Sequence, residues 1–159
     1  MNGDMSGPAI QPAGVLEGKV LAAVQQQCFP DDPWTADFVE TLLGQPGTFG
    51  LLAVAAGDEP VGFALVRVVA EDAEILAIGV LPAARRGGLG RRLVEETCAE
   101  VERRGATALF LEVAEDNDSA RTLYTHSGFA PVGRRPGYYI RAQGRVAALV
   151  LRRLISNQN

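Results

Sequence analysis

Histidine occurs once in this sequence, at His126, and cysteine twice, at Cys28 and Cys98. A lone histidine argues against a histidine-bearing zinc site and against a Ser-His-Asp triad. The cysteines lie far apart and form no ligand pair, so both are expected to be reduced, inert thiols of a cytoplasmic protein. No apolar run approaches the ~20 residues that a membrane span requires. Met1 to Gln11 lacks a basic segment followed by an apolar one, so no secretory leader is expected. Repeats and low-complexity blocks are absent as well.

What is present fits one folded core. The chain has 159 residues, of which 47% are hydrophobic and 21% charged, ordinary globular usage. A single domain over residues 10–155 is expected, preceded by a frayed stretch at 1–9. The net charge of −4 is unevenly spread: residues 1–80 hold 11 acidic and 2 basic side chains, and residues 81–159 hold 8 and 13. Balances of −9 and +5 suggest partners of opposite sign, or simply an unevenly composed solvated surface.

Apolar spacing predicts a helix from Val15 to Phe29 and a second from Thr35 to about Gly44. Phe49–Ala55 and Val61–Val69 read as strands joined by a Gly57–Pro60 turn, with a third strand over Glu74–Val80. Gly88 to Arg104 is the clearest helix, with Leu89, Leu93, Val94, Thr97 and Val101 on one face and Gly105 as its terminator. Thr107–Val113 reads as a strand buried on both faces. Asn117 is a good N-cap for a helix to Ser127, and strands near Ala130–Arg135 and Val146–Leu154 close the chain. The order predicts a three-layer α/β (α+β) fold around one mixed, mostly antiparallel sheet flanked by helices.

Two segments carry chemistry. Arg85-Arg86-Gly87-Gly88-Leu89-Gly90 lies between a strand and the long helix, where bare backbone N–H groups and the helix dipole cradle an anion. Arg91 and Arg92 add positive charge. The pattern matches neither the dinucleotide nor the P-loop signature, so from spacing alone it is a phosphate loop or a flexible turn. In the second segment, Glu112 interrupts the apolar run Leu109–Val113. A carboxylate there must be paired or wet, and is either a base near neutral pH or the structural partner of an arginine. By periodicity Tyr124 reads as a core aromatic. Nucleic acid is not expected as a partner, since the basic residues gather around the loop and the chain is acidic.

Leu76-Ala77-Ile78-Gly79-Val80-Leu81-Pro82 followed by Arg85-x-x-Gly88-x-Gly90 resembles the acetyl-CoA motif of the GNAT (acyl-CoA N-acyltransferase) superfamily. Leu111-Glu112-Val113, with Asn117-x-x-Ala120-x-x-Leu123-Tyr124-x-x-x-Gly128-Phe129, resembles its RimI-type branch. So do Cys28-Phe29-Pro30-x-x-Pro33-Trp34-Thr35-x-x-Phe38 and Gly137-Tyr138-Tyr139. The chain departs from that branch where Val146-Ala147 follow Gly144-Arg145 in place of an acidic pair, and where Asp31-Asp32 lengthen the first stretch.

The resemblance implies acetyl-CoA as cosubstrate and no metal. Arg85, Arg86, Gly87, Gly88, Leu89, Gly90 and Arg91 would hold the pyrophosphate. Ile78, Gly79 and Val80 would hold the pantetheine, with Asn117 touching the same arm. Glu112 would be the general base, taking a proton from the acceptor amine through water, and Tyr124 the acid that protonates the departing thiolate. Trp34, Glu74, Tyr138 and Tyr139 would meet the acceptor. The implied acceptor is a basic protein N-terminus, the alanine of the eighteenth small-subunit ribosomal protein, with the enzyme a monomer or weak homodimer. A GNAT acting on a small amine, or an acyl-CoA-sensing module, are the other readings.

Overall fold

A computed structural model describes residues 7–155. Residues 1–6 of the stretch expected to fray lie outside the described residues, whereas Ala9 already belongs to a strand. The strands are β1 (Ala9–Ala13), β2 (Thr48–Ala55), β3 (Glu59–Val69), β4 (Asp72–Val80), β5 (Ala108–Ala114), β6 (Ala130–Arg141) and β7 (Gly144–Leu154). The α-helices are α1 (Gly18–Cys28), α2 (Ala36–Leu43), α3 (Leu89–Arg103) and α4 (Asp118–His126). The strands form one mixed sheet in the order β1-β2-β3-β4-β5-β7-β6. The β1–β2, β2–β3, β5–β7 and β6–β7 pairings are antiparallel and β4–β5 is parallel. This is the expected mixed, mostly antiparallel sheet with helices flanking it.

By packing, the chain falls into two compact units, residues 7–67 with 76–97 and residues 68–75 with 98–155. In the first, Leu21, Ala22 and Val24 of α1 and Val39 and Leu43 of α2 bury against Leu52, Phe63 and Leu65 of β2 and β3. Removing such apolar surface from water contributes roughly 1.5–3 kcal/mol per large side chain. Thr35 caps α2 by accepting from the Phe38 N–H at 3.1 Å. The helix expected over Val15–Phe29 is shorter: Val15–Glu17 form a single 3-10 turn closed by Glu17, whose carboxylate accepts from the Gly14 N–H.

In the second unit, β5 is central. Leu109, Leu111 and Val113 are buried, and the strand pairs with β7 from Ala108↔Leu154 to Ala114↔Ala148. On its other side it pairs with β4 at Asp72↔Ala108, Ala73↔Leu109 and Glu74↔Phe110. The buried face of α3 is the expected one, Leu89, Leu93, Val94, Thr97 and Val101. Gly105 follows it at φ +92, the left-handed cap that glycine adopts without steric cost.

Candidate active site

The anion loop of the first unit is shaped by two left-handed residues. Arg86 has φ +76 and Gly88 φ +80 on either side of Gly87, an alternation that turns successive N–H groups toward one concavity. A non-glycine residue in this region is strained, and such strain concentrates at functional positions. A Cβ added at Gly87 or Gly88 would meet nothing within 4 Å, so the space over the loop is open. The 15-residue α3 starts at Leu89, placing its positive dipole end there. Arg85 folds back, its Nε donating to the Val80 carbonyl at 2.9 Å, which ties the loop to the end of β4. An exposed, positively charged turn of bare N–H groups fits a pyrophosphate.

Gly79 in β4 is a close approach. A Cβ there would lie 3.0 Å from Cβ and Sγ of Cys28 and 3.1 Å from the Phe29 ring. The end of α1 therefore sits directly on β4 between Ile78 and Val80. Burial pushes the Cys28 thiol up, with Arg85 partly offsetting it, so the residue stays a thiol.

Trp34 is half-buried and held by α1. Its N–H donates to Gln25 Oε1 at 2.7 Å, and its carbonyl accepts from Gln26 Nε2 at 2.7 Å. Gln25 Nε2 also donates to the Asp32 carbonyl at 2.9 Å, and its side chain is buried. This clamp holds the segment lengthened by Asp31-Asp32, and sequence reading missed it; the run Gln25-Gln26-Gln27 was its signal. The Trp34 ring meets Phe38 edge-on at 5.1 Å. Gln25→Leu would leave the Trp34 N–H and the Asp32 carbonyl without that partner, so denaturant unfolding is expected to show a loss of about 1–3 kcal/mol.

In the second unit, Glu112 projects from β5 between buried neighbours. Its side chain is 21% exposed and its Oε1 lies 3.1 Å from Arg135 Nη2. The carboxylate expected to be paired or wet is paired, with an arginine as its partner. The reason is topological. β7 separates β5 from β6, Arg135 stands opposite the small Ala148, and its long side chain reaches across β7 to the carboxylate. Beside it, Arg134 grips Glu115 at 2.9 and 3.0 Å, a hydrogen bond that holds the Glu115 carboxyl below the usual range. Arg141 reaches Asp116 at 3.4 Å.

Tyr124 is buried, as periodicity predicted, with Phe129 edge-on at 5.7 Å. Burial pushes its phenol up to about 12, so the O–H is present throughout the neutral range. Asn117 caps α4, its Oδ1 accepting from the Ala120 N–H at 3.2 Å, which leaves the amide N–H₂ for another partner. Tyr138 and Tyr139 meet edge-on at 5.1 Å. Arg135 lies 5.7 Å from the Tyr138 ring centre and Arg141 5.2 Å from that of Tyr139. Glu74 is half-buried on β4, opposite Phe110.

Comparison with known proteins gives this geometry its setting. The profile of the Acetyltransferase (GNAT) family matches residues 19–129. The chain is similar to the [Ribosomal protein bS18]-alanine N-acetyltransferase of Salmonella typhimurium, 38% identical over 120 residues, covering 75% of this chain and 79% of that one. It is also similar to the N-alpha-acetyltransferase RimI of Mycobacterium tuberculosis, 37% identical over 123 residues, 74% of this chain and 75% of that one. Among solved structures, the ribosomal-protein-S18-alanine N-acetyltransferase of Escherichia coli superposes with a TM-score of 0.87 at 28% identity, covering 96% of each chain. The chain belongs to the GNAT family of acetyl-CoA-dependent N-acetyltransferases and, within it, to the RimI type.

Proposed function

We propose that this enzyme acetylates the N-terminal alanine of ribosomal protein bS18 in the cytoplasm, by direct transfer from acetyl-CoA, with residues 10–155 acting as one catalytic domain. One observation carries the acceptor: the 38% identity to a bS18-alanine N-acetyltransferase over three quarters of both chains. Acetyl-CoA sits with its pyrophosphate on the N–H groups of Arg85 to Arg91 and its pantetheine along Ile78, Gly79 and Val80, met by Asn117. Trp34, Glu74, Tyr138 and Tyr139 receive the acceptor.

The amine nitrogen attacks the thioester carbonyl carbon, forming the C–N bond as the C–S bond breaks. Backbone N–H groups near Val80 stabilise the developing oxyanion. Glu112 takes the amine proton, through water. An α-amine has a pKa of about 7.7–8.0 against about 10.4 for lysine, so an N-terminus asks far less of this base. Tyr124 donates its O–H toward the departing sulfur. A phenol at about 12 gives up its proton reluctantly to a thiolate, whose thiol titrates near 8.5. Its hydrogen bond to the developing charge is therefore the larger part of its contribution.

The acidic side chains of the first half, among them Asp31, Asp32, Asp37, Asp72 and Glu74, favour encounter with a basic protein tail. Added salt should screen that attraction. The test is acetyl transfer read by mass spectrometry, with a basic peptide beginning with alanine, its N-blocked twin bearing an internal lysine, and a panel of small amines. Modification of the free alanine terminus alone, weakened by salt, is the expected result. Turnover on small amines alone would overturn the acceptor and leave the family standing.

A further inference from the structure

We propose that Arg135 is a displaceable stand-in for the acceptor's ammonium group: it occupies the Glu112 carboxylate in the free enzyme and gives it up when the acceptor arrives, held then by the Tyr138 ring that it already touches. The inference rests on reading Glu112 as the group the acceptor amine meets, and it adds a residue that tunes acceptor affinity.

Three arginines of β6 hold three carboxylates at and beyond the end of β5, but not in the same way. Arg134 grips Glu115 with Nε and Nη2 together, at 2.9 and 3.0 Å. Two parallel bonds fix a guanidinium in place. Arg135 instead reaches Glu112 through Nη2 at 3.1 Å while its Cζ already lies 5.7 Å from the Tyr138 ring centre. It thus has a second hold that survives loss of the carboxylate, since a cation within about 6 Å of an aromatic centre is attracted to its face.

The backbone brings the two holds together. Pairing of β6 with β7 is irregular between Arg135 and Tyr139, and Gly137 within the bulge has φ +62. Pro136 to Tyr138 there face the single residue Ala147 of β7, two residues more than regular pairing allows, and the Tyr138 ring comes to lie beside Arg135. Release is cheap on the arginine side, because its side chain is 59% exposed and keeps its hydration with or without the carboxylate. One carboxylate charge offsets one cation, and the guanidinium and an arriving ammonium repel each other across it, so the two compete for Glu112.

Steady-state kinetics with an alanine-starting peptide tests this. Arg135→Gln is expected to lower the peptide KM about two- to five-fold, the range that an exposed ion pair spans, while the acetyl-CoA dissociation constant keeps its parent value. Arg135→Lys restores the parent KM, because an ammonium refills the place. In Arg135→Ala, added methylguanidinium becomes a competitive inhibitor against the peptide at concentrations that leave the parent unaffected. A peptide KM that is unchanged or higher in Arg135→Gln overturns the proposal. Repeating the substitution on a Glu112→Gln background separates the two readings. If Glu112→Gln keeps full kcat but the KM shift is seen in the parent and vanishes in the double variant, the stand-in holds and the base assignment falls. If Glu112→Gln loses kcat and Arg135→Gln shifts nothing, the base holds and the stand-in falls.

Discussion

Glu112→Gln is expected to lower kcat about 10²–10⁴-fold, the usual worth of a positioned base, with acetyl-CoA binding retained. That fall corresponds to roughly 3–5 kcal/mol of lost transition-state stabilisation. Cofactor affinity should hold because the anion loop, Arg85 to Gly90, draws on backbone N–H groups and α3 rather than on β5. Folding should hold as well. The substitution removes one ion pair whose arginine is 59% exposed, and such pairs contribute about 1 kcal/mol or less. The pH dependence makes the test sharper. Without its base, the enzyme can use only acceptor molecules that arrive neutral. That fraction grows as the pH climbs through the α-amine's pKa of about 7.7–8.0, so the gap to the parent should narrow on going from pH 6.5 to 8.5. An amide variant with undiminished kcat at pH 6.5, measured under saturating acetyl-CoA, would remove Glu112 from the mechanism.

That Glu112 could be singled out at all follows from where it stands. A charged residue inside Leu109-Phe110-Leu111-Glu112-Val113 breaks a pattern that local sequence makes plain, as does the glycine-rich turn before α3. Both are local signals, and both elements formed within a residue or two of their expected ends. Elements that depend on distant partners were less legible. β1 was missed because Ala9–Ala13 is short, carries Pro12 and is largely exposed. A strand of that kind is set by the edge it joins, here β2, and not by its own propensity. The strand expected to stop at Arg135 instead continues to Arg141. Pro136-Gly137 looks like a terminating turn, yet in the structure it is a bulge that β7 bridges. Arg135 could not be paired with Glu112 from sequence for the same reason. Their contact requires β7 to lie between β5 and β6, and chain order alone does not reveal that insertion. The turn expected over Gly57–Pro60 lies earlier, as a 3-10 turn over Ala56–Asp58 with Gly57 at φ +75, and Glu59 and Pro60 already belong to β3.

Tyr124→Phe is expected to separate catalysis from stability at a single ring. Phenylalanine keeps the shape that meets Phe129 edge-on at 5.7 Å and loses only the hydroxyl. A hydrogen bond to a charged group contributes roughly 1.5–3 kcal/mol, so kcat should fall about 10- to 150-fold, less than for Glu112→Gln. Stability should change in one pH window. The phenol titrates at about 12 in the folded chain and near 10 when unfolded. Below pH 10 both states hold the proton, and it has no effect on unfolding. Between pH 10 and 12 the unfolded chain releases it and the folded chain does not, so rising pH favours unfolding. Two pH units at 1.36 kcal/mol each remove about 2.7 kcal/mol across that window. The phenylalanine variant lacks this term, while every other titrating group is common to both proteins. Urea unfolding at pH 8 and pH 11.5 should therefore show the parent losing about 2 kcal/mol more than the variant. Equal losses would mean that the ring is not held in a desolvated site. A variant that shows the stability difference but keeps full kcat would make Tyr124 a core aromatic alone, the reading its periodicity first suggested. Loss of both together is what a buried donor aimed at a departing thiolate requires.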